Sequence, residues 1–157
     1  MFTIIQSPPL KGSTHVMASL AKAEGKVVYS NSPLLYDHNE VDFNTIDKVT
    51  NAVIALDYPQ ELLTKGPEIS ESKKNLMIAI LQSETLKNVI YATTSGTYPF
   101  DNRIYRFCDY YIICRLANYG IVRFTLYNMR NKKDVKYYNL NILAADKLLP
   151  YFPVNGR

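Results

Sequence analysis

The sequence predicts an α/β fold with a mostly parallel sheet, crossover helices and a C-terminal antiparallel hairpin. Two patterns support this prediction. Over most of the chain, short apolar runs of strand length alternate with segments of helical period, as in parallel sheets. Near the C-terminus, two alternating apolar and polar segments instead flank a polar, basic turn from Asn128 to Lys133, which is typical of a hairpin.

Length and composition favour one globular domain spanning residues 1–157. Hydrophobic residues make up 47% of the chain and charged residues 20%. No run approaches the roughly 18 apolar residues of a membrane span, and the N-terminus has no secretion signal, so we expect a soluble, intracellular protein without a membrane partner. The chain has two cysteines, Cys108 and Cys114, and two histidines, His15 and His38. Their spacing does not match a zinc-binding motif.

The elements follow from these patterns in chain order. Apolar runs predict strands at residues 2–6, 26–29, 52–57, 88–94 and 110–114, and hairpin strands at 121–127 and 135–138. Helical periodicity predicts helices at 16–24, from about 71 to 81, around 103–107, and at 142–149. Gly25 is expected to end the first helix, and Ser70 to cap the second. Residues 31–47 and the segment with Pro59, Gly66 and Pro67 are expected to be loops.

The turn after the first strand partly matches a phosphate-binding loop. Such a loop has the pattern G-x-x-x-x-G-K-[ST] between a strand and a helix, so that backbone N–H groups and a lysine contact phosphates and a hydroxyl contacts Mg²⁺. Aligned to it, the chain retains Gly12 and Thr14, whereas Ser7 replaces the first glycine and Ser13 replaces the lysine.

Lys11 is the only nearby substitute for the missing lysine, and Pro8 and Pro9 remove two backbone donors from the loop. The predicted ATP-binding residues are therefore Lys11, Gly12, Ser13 and Thr14. The alternative interpretation is an ordinary connection between a strand and a helix.

A second feature is the carboxylate that ends the most apolar strand. A Mg²⁺-coordinating Asp occupies this place in phosphate-binding-loop enzymes, so Thr14 and Asp57 are the predicted metal ligands. The glutamate that usually follows it, and polarises the attacking water, is Tyr58 here, which is a poor base at neutral pH. Glu61 is the candidate replacement. On the alternative interpretation, Asp57 only ends a strand and starts a turn.

Several segments in the same order resemble a known family. They are residues 28–34, 55–57, 72–75 with 80–82, 90–94, and 101–106 with Asp109. Together they resemble the packaging or DNA-transfer ATPases of viruses and plasmids, distant relatives of FtsK/HerA and Zot-like proteins, through most of residues 1–127. The resemblance implies a fold of the phosphate-binding-loop (P-loop) class, ATP and Mg²⁺ as cofactors, DNA as the partner, a homo-oligomer, and a place in the host cytoplasm or the virion.

The resemblance also implies roles for individual residues. Thr93 and Thr94 fall on the sensor strand, where a polar group contacts the γ-phosphate or water, and Arg103 or Arg106 falls where a basic residue approaches nucleotide or DNA. Because the loop lysine and the catalytic glutamate are absent, we expect the fold to carry over more reliably than ATP hydrolysis.

The hairpin supplies further candidate contacts with nucleic acid. Basic residues that could hold phosphates are interleaved with tyrosines that could stack on bases, and these basic residues are Arg123, Arg130, Lys132, Lys133 and Lys136. The alternative is a solvated basic turn with tyrosines packed beneath it.

A metal-dependent DNA nuclease is a separate hypothesis. Glu71-Ser72-Lys73 has the carboxylate-x-lysine spacing of many such enzymes, with Asp57 upstream and Glu68 and Glu84 nearby. Carboxylates holding a metal beside a lysine suit phosphodiester hydrolysis. These nucleases usually place the motif on a strand, whereas here it opens a predicted helix. A non-enzymatic DNA-binding or scaffold protein is the third alternative.

Overall fold

The computed structural model describes residues 1–8, 12–66, 68–96, 100–116 and 120–141. The strands in these ranges are β1 (Phe2–Gln6), β2 (Val27–Ser30), β3 (Asn39–Glu40), β4 (Ala52–Leu56), β5 (Val89–Thr94), β6 (Tyr110–Leu116), β7 (Ile121–Asn128) and β8 (Val135–Asn141). The helices are α1 (Ser13–Ala23), α2 (Gln60–Leu63), α3 (Glu71–Leu81) and α4 (Asn102–Tyr105), with a short 3-10 helix at Ile46–Lys48. Among these elements, no helix is long and apolar enough to cross a membrane.

All the described strands belong to one sheet in the order β3-β2-β4-β5-β1-β6-β7-β8. The strands from β3 to β6 are parallel, and β1 lies between β5 and β6, so that Ile4 pairs with Ala92 on one side and with Tyr111 on the other. β7 and β8 then extend the sheet in antiparallel pairing. This architecture confirms the predicted mostly parallel sheet with a C-terminal antiparallel hairpin.

Helices cover both faces of the parallel part of the sheet, and the two cores follow from the alternation of side chains along each strand. Ile5, Val53 and Ala55 pack on the same side as α1, in a cluster that includes Val16 and Met17 of that helix. The neighbouring residues of the same strands face the other way and pack with α3, in a cluster that includes Ile4, Ile54, Leu56, Leu76 and Ile80. Because both faces are covered, every residue of β4 is buried, as its continuous apolar run predicted.

Two helix boundaries form as the sequence predicts. The hydroxyl of Ser70 accepts a hydrogen bond from the backbone N–H of Lys73, at 3.1 Å, and so caps α3. Gly25 follows the end of α1 with a φ of 65°, a conformation that glycine adopts without steric cost. These local signals therefore confirm the predicted end of α1 and the predicted start of α3, whereas α1 begins three residues earlier than its apolar pattern predicted.

The structure differs from the predicted loops in two places. The polar stretch before β4 contains β3, which pairs with β2. It also contains the 3-10 helix, which forms where Ile46 is almost completely buried and the side chain of Asn75 in α3 donates a hydrogen bond to the carbonyl of Phe43, at 3.0 Å. The segment after Pro59 contains α2, which turns Leu63 into the core. The helix predicted at residues 142–149 lies outside the described residues.

Candidate nucleotide-binding site

The carboxyl ends of three neighbouring parallel strands meet at one edge of the sheet. Ser7 follows β1, Asp57 follows β4, and Thr94 ends β5, while α1 begins at the same edge after its N-cap residue, Gly12. Parallel α/β sheets bind ligands at this edge, where the chain leaves neighbouring strands in opposite directions. The candidate site residues predicted from separate parts of the sequence therefore lie at the same edge of the sheet.

Asp57 lies at the centre of this group. One oxygen of its carboxylate, Oδ1, accepts hydrogen bonds from the hydroxyls of Thr14, at 2.9 Å, and of Thr93, at 2.7 Å. A Thr hydroxyl and an Asp carboxylate in contact form the pair of oxygens that a phosphate-binding-loop enzyme offers to Mg²⁺. The structure thus brings together Thr14 and Asp57, the two predicted metal ligands, with Thr93 beside them.

The backbone of Asp57 is fixed by a residue that the sequence analysis did not single out. The side-chain amide of Asn31 donates a hydrogen bond to the Asp57 carbonyl, at 3.0 Å, and its oxygen accepts one from the Asp57 N–H, at 2.6 Å. Asn31 directly follows β2, which pairs with β4. A polar residue at the carboxyl end of a neighbouring strand was the signal that could have identified it.

The electrostatic environment of Asp57 favours its neutral form. Burial raises the pKa of Asp57 above its ordinary value, while the hydrogen bonds from Thr93 and Thr14, and then the charge of His15, act in the opposite direction. A cation beside the carboxylate would favour its charged form and offset the free-energy cost of burying that charge. The arrangement therefore suits an Asp that meets a positively charged ligand.

Tyr58 and Ser13 occupy the two positions at which the sequence departs most from a working ATPase, and they contact each other. The Tyr58 hydroxyl lies 3.1 Å from the Ser13 hydroxyl, within hydrogen-bonding distance. The backbone N–H of Tyr58 also donates a hydrogen bond to the Thr93 hydroxyl, at 2.8 Å, and its φ is 48°. An L-residue in this left-handed conformation is held at a cost of about 1–2 kcal/mol. The tyrosine is therefore fixed at the beginning of α1.

The start of α1 has two features of a phosphate-binding turn. Gly12 has a φ of 94°, and a Cβ atom added to it would lie 2.4 Å from Cγ2 of Val122 in β7. A glycine is thus required there both by backbone conformation and by the close approach of β7. The first turn of α1 contains no acidic residue and Gly12 offers no side-chain cap, so no carboxylate within this turn occupies its N–H groups. Lys11 lies outside the described residues.

Ser7, at the position of the first glycine of the motif, is fully buried. Its backbone N–H donates to the carbonyl of Thr94, at 3.1 Å, which ties the end of β1 to the end of β5. Its hydroxyl has no hydrogen-bond partner in the part of the chain that the structure describes. Buried hydroxyls are normally paired, so this one is an unused polar group beside the predicted phosphate loop.

Thr94 and Glu61 are not part of the contacts that join Thr14, Asp57 and Thr93. The Thr94 hydroxyl interacts with the Gln60 amide, at 3.3 Å from Nε2, and accepts a hydrogen bond from the N–H of Gly96, also at 3.3 Å. Thr94 therefore links β5 to α2. Glu61 is exposed on α2, and its carboxylate makes no hydrogen bond or ion pair with the described residues. The structure does not bring Glu61 into contact with Asp57.

The candidate nuclease residues are dispersed. Glu71 lies at the start of α3, on the same edge of the sheet as Asp57, whereas Glu84 lies between α3 and β5, at the opposite edge. Glu71 is exposed and its nearest cationic partner is Lys74, at 3.9 Å. Within the described ranges, no group of three or more His, Cys, Asp or Glu residues is placed to hold a metal ion.

Lys73 and Arg103 form an ion cluster around the buried carboxylate of Asp101, in which Lys73 is also buried and the Arg103 side chain is 42% exposed. The Lys73 ammonium donates to the carbonyl of Thr64, at 2.6 Å, and pairs with Asp101, at 2.8 Å, and both charged side chains are only 3% exposed. Arg103 forms two hydrogen bonds with the same carboxylate, at 2.8 and 2.6 Å. These partners, Arg103 first and then Lys73, hold the pKa of Asp101 well below its usual range. Lys73 thus links α3 to the residue that caps α4, and Arg103 is engaged at the same cap.

The other basic residues that were predicted to contact nucleic acid lie in several different parts of the structure. Arg106 stacks over the ring of Phe107, at 4.8 Å from the ring centroid. Arg130 pairs with Asp109 at 2.5 Å, at the edge of the sheet opposite to Asp57. Lys132 and Lys133 are exposed in the turn between β7 and β8. The remaining two, Arg123 on β7 and Lys136 on β8, are exposed on the hairpin strands.

Solved structures show which fold this is. No protein-family model and no curated protein matches the sequence. The N-terminal domain of zonular occludens toxin from Neisseria meningitidis superposes with a TM-score of 0.68 and 11% identity, over 95% of this chain and 98% of that one. The genome-packaging NTPase B204 of Sulfolobus turreted icosahedral virus 2, in complex with AMPPCP, superposes with a TM-score of 0.63 and 10% identity, over 87% and 96%.

The DNA-packaging ATPase B204 of Sulfolobus turreted icosahedral virus gives a TM-score of 0.61 at 12% identity, again over 87% of this chain and 96% of that one. At such identities the similarity establishes the fold and leaves the activity open. The chain therefore shares the P-loop NTPase-like α/β fold of these proteins, which is the fold that the resemblance in the sequence implied.

Proposed function

We propose that the chain binds ATP with Mg²⁺ and serves in DNA packaging or a related DNA transaction of a virus or mobile element, with little or no ATP hydrolysis of its own. The observation that carries the proposal is the contact of Thr14 and Thr93 with Asp57, at the sheet edge where α1 begins. Three separate parts of the chain supply the hydroxyls and the carboxylate that a Mg²⁺-nucleotide site uses.

Binding and hydrolysis make different demands on this site. Binding needs backbone N–H groups at the start of α1, a pair of ligands for Mg²⁺ and a positively charged side chain near the phosphates. We assign Thr14 and Asp57 as the Mg²⁺ ligands and Lys11 as the positive side chain. Hydrolysis also needs a group that orients or deprotonates the attacking water. Tyr58 stands where that carboxylate is expected, and Glu61 is exposed and apart, so we propose binding without efficient turnover.

Two similar folds support the DNA step of the proposal, since one of those proteins is described as a DNA-packaging ATPase and another as a genome-packaging NTPase. The basic hairpin of this chain is consistent with a polyanionic partner. We propose that the protein works in the host cytoplasm or in the virion, and as a homo-oligomer.

Calorimetric titration with ATP and ADP, each with and without Mg²⁺, tests the proposal. We expect micromolar binding of ATP that weakens when Mg²⁺ is removed, together with a phosphate-release rate close to background. The Lys11→Ala variant should lose most of the affinity if Lys11 replaces the missing lysine. Absence of binding by both nucleotides would contradict the proposal, and fast phosphate release would contradict its second part.

A further inference from the structure

The antiparallel extension of the sheet concentrates the positive charge of the chain. Residues 110–141 contain six of the eighteen Lys and Arg residues but only one of the fourteen Asp and Glu residues. The formal net charge of the whole chain is +4, so the remaining residues contribute no net positive charge. The net positive charge of the protein therefore lies in the segment that contains β6, β7 and β8, and it favours a polyanionic partner there.

Two arginines lie side by side on one face of this extension. Arg115 in β6 is directly opposite Arg123 in β7, and Arg123 is in turn opposite Asn139 in β8. Residues opposite each other in antiparallel strands point to the same face, with Cα atoms about 5 Å apart. All three are exposed. The two arginines form no ion pair with any described residue.

The same face continues with a hydroxyl and an aromatic ring. In the next row of the sheet Thr125 is opposite Tyr137, and Tyr137 is 79% exposed. Val122 and Phe124, which alternate with Arg123 and Thr125 along β7, pack on the side of α1. Arg115, Arg123, Thr125, Tyr137 and Asn139 thus share the opposite side, and we call this surface the arginine face.

Holding two like charges directly opposite each other is unfavourable, and an anion between them removes that cost. A second copy of this chain is a poor partner for the arginine face, because each copy carries a net positive charge and its surplus lies in the same extension. A strand of nucleic acid offers a row of phosphates to the arginines. It also offers an unpaired base, which a duplex would not expose, to the ring of Tyr137.

We propose that the arginine face binds single-stranded DNA, with Arg115 and Arg123 on consecutive phosphates and a base stacked on Tyr137. This proposal refines the DNA step of the proposed function and does not depend on nucleotide binding. It adds Arg115 to the basic residues expected from the sequence, and it selects Tyr137 from the hairpin tyrosines that were expected to stack on bases. It also separates Arg123 from Arg130, which is paired with Asp109.

The test is the affinity of the full chain for a fluorescent oligothymidylate over a series of salt concentrations. The variant Arg115→Gln/Arg123→Gln should bind at least tenfold more weakly, and the slope of log affinity against log salt should decrease by about 1.4, since each phosphate contact on a single strand contributes about 0.7. Lys132→Gln/Lys133→Gln removes the same charge from the turn and should lose clearly less. Equal losses in the two double variants would overturn the proposal.

Two further variants distinguish a loss of base stacking and a loss of charge from a general loss of folding as the cause of weaker DNA binding. Tyr137→Ala should weaken binding of the oligothymidylate roughly tenfold but leave binding of an abasic strand unchanged. Arg115→Lys/Arg123→Lys keeps both charges and should keep the salt dependence. Tighter binding of duplex DNA than of the single strand, with no effect of Tyr137→Ala, would overturn the proposal. A change of sedimentation in Arg115→Gln/Arg123→Gln without a change in DNA affinity would instead identify an interface between copies.

Nucleotide titrations of the same variants keep this inference separate from the proposed function. Arg115→Gln/Arg123→Gln should retain the ATP affinity of the parent, because the arginine face contains none of the residues around Asp57. A parent that binds ATP but not the oligothymidylate would contradict only the arginine face. A parent that binds the oligothymidylate through the arginines but no ATP would contradict only the nucleotide site.

Discussion

The hydroxyls of Ser13 and Tyr58 lie 3.1 Å apart and join two of the positions at which this chain departs from the motifs of a working ATPase. Ser13 stands where the lysine of the phosphate loop is expected, and Tyr58 where the catalytic glutamate is expected. The two departures are thus neighbours in the structure. A single local arrangement replaces both missing groups and leaves Thr14, Asp57 and Thr93 in contact.

This contact predicts the outcome of restoring the motif. The double variant Ser13→Lys/Tyr58→Glu should release phosphate from ATP faster than the parent and faster than either single variant, because a lysine on the phosphates and a carboxylate near the water are both needed. Tyr58→Phe, which removes only the hydroxyl, is the control and should not gain hydrolysis. If the double variant binds ATP but releases phosphate no faster than the parent, the missing groups are not what prevents turnover.

The second prediction concerns the cost of keeping Asp57 charged. Because its pKa is raised by burial, this group makes the folded protein less stable as the pH rises from the ordinary pKa of 3.8 through the raised value. Asp57→Asn should therefore raise the thermal midpoint Tm at pH 7 without nucleotide, and this advantage should shrink as the pH approaches 4. Asp37→Asn changes an exposed Asp and should leave Tm nearly unchanged. A lower Tm for Asp57→Asn at pH 7 would argue against a destabilising carboxylate.

Gly12 gives a prediction for the start of α1. Gly12→Ala should lower the free energy of unfolding by about 2–3 kcal/mol, because the residue has a positive φ and its Cβ would contact Val122 at 2.4 Å. Gly25→Ala is a matched control, since Gly25 also has a positive φ but no atom lies within 4 Å of its Cβ position, and it should lose about 1 kcal/mol. Urea denaturation measures both, and equal losses would show that the approach of β7 does not constrain the loop.

Lys73 is predicted to be a structural residue. Lys73→Met should lower the free energy of unfolding by about 3 kcal/mol, because it leaves the buried Asp101 with one cation fewer and the Thr64 carbonyl without its donor. Lys74→Met, one position along the same helix, removes an exposed lysine that is 3.9 Å from Glu71 and should cost less than about 1 kcal/mol. Similar values for the two variants would contradict the role of the ion cluster.

Much of the fold was predictable because each element carries its own signal. The apolar run of β4, the cap at Ser70 and the alternation of β7 and β8 each determine local structure. The short elements β3, the 3-10 helix and α2 were not predictable, because two to four residues are too few to show a period. The 3-10 helix and α2 form where distant residues bury Ile46 and Leu63.

The candidate site was predictable in part for a related reason. Thr14, Asp57 and Thr93 sit at the ends of strands or the start of a helix, and parallel topology brings such positions together. The contact between Ser13 and Tyr58 depends on where two side chains point and has no signal in the sequence. The ion cluster around Asp101 is a similar case, since Lys73 gives no sign in the sequence that it turns inward.

The most direct test of the central claim is to remove the hydroxyl of Thr14 and measure Mg²⁺-dependent ATP binding by calorimetry. Thr14→Val keeps the shape of the side chain and should reduce the affinity for ATP with Mg²⁺ at least tenfold, with little effect in the absence of Mg²⁺. Thr45→Val, at an exposed residue before the 3-10 helix, should bind as the parent does. If the parent binds ATP and Thr14→Val binds it equally tightly in the presence of Mg²⁺, the group around Asp57 is not the metal-nucleotide site.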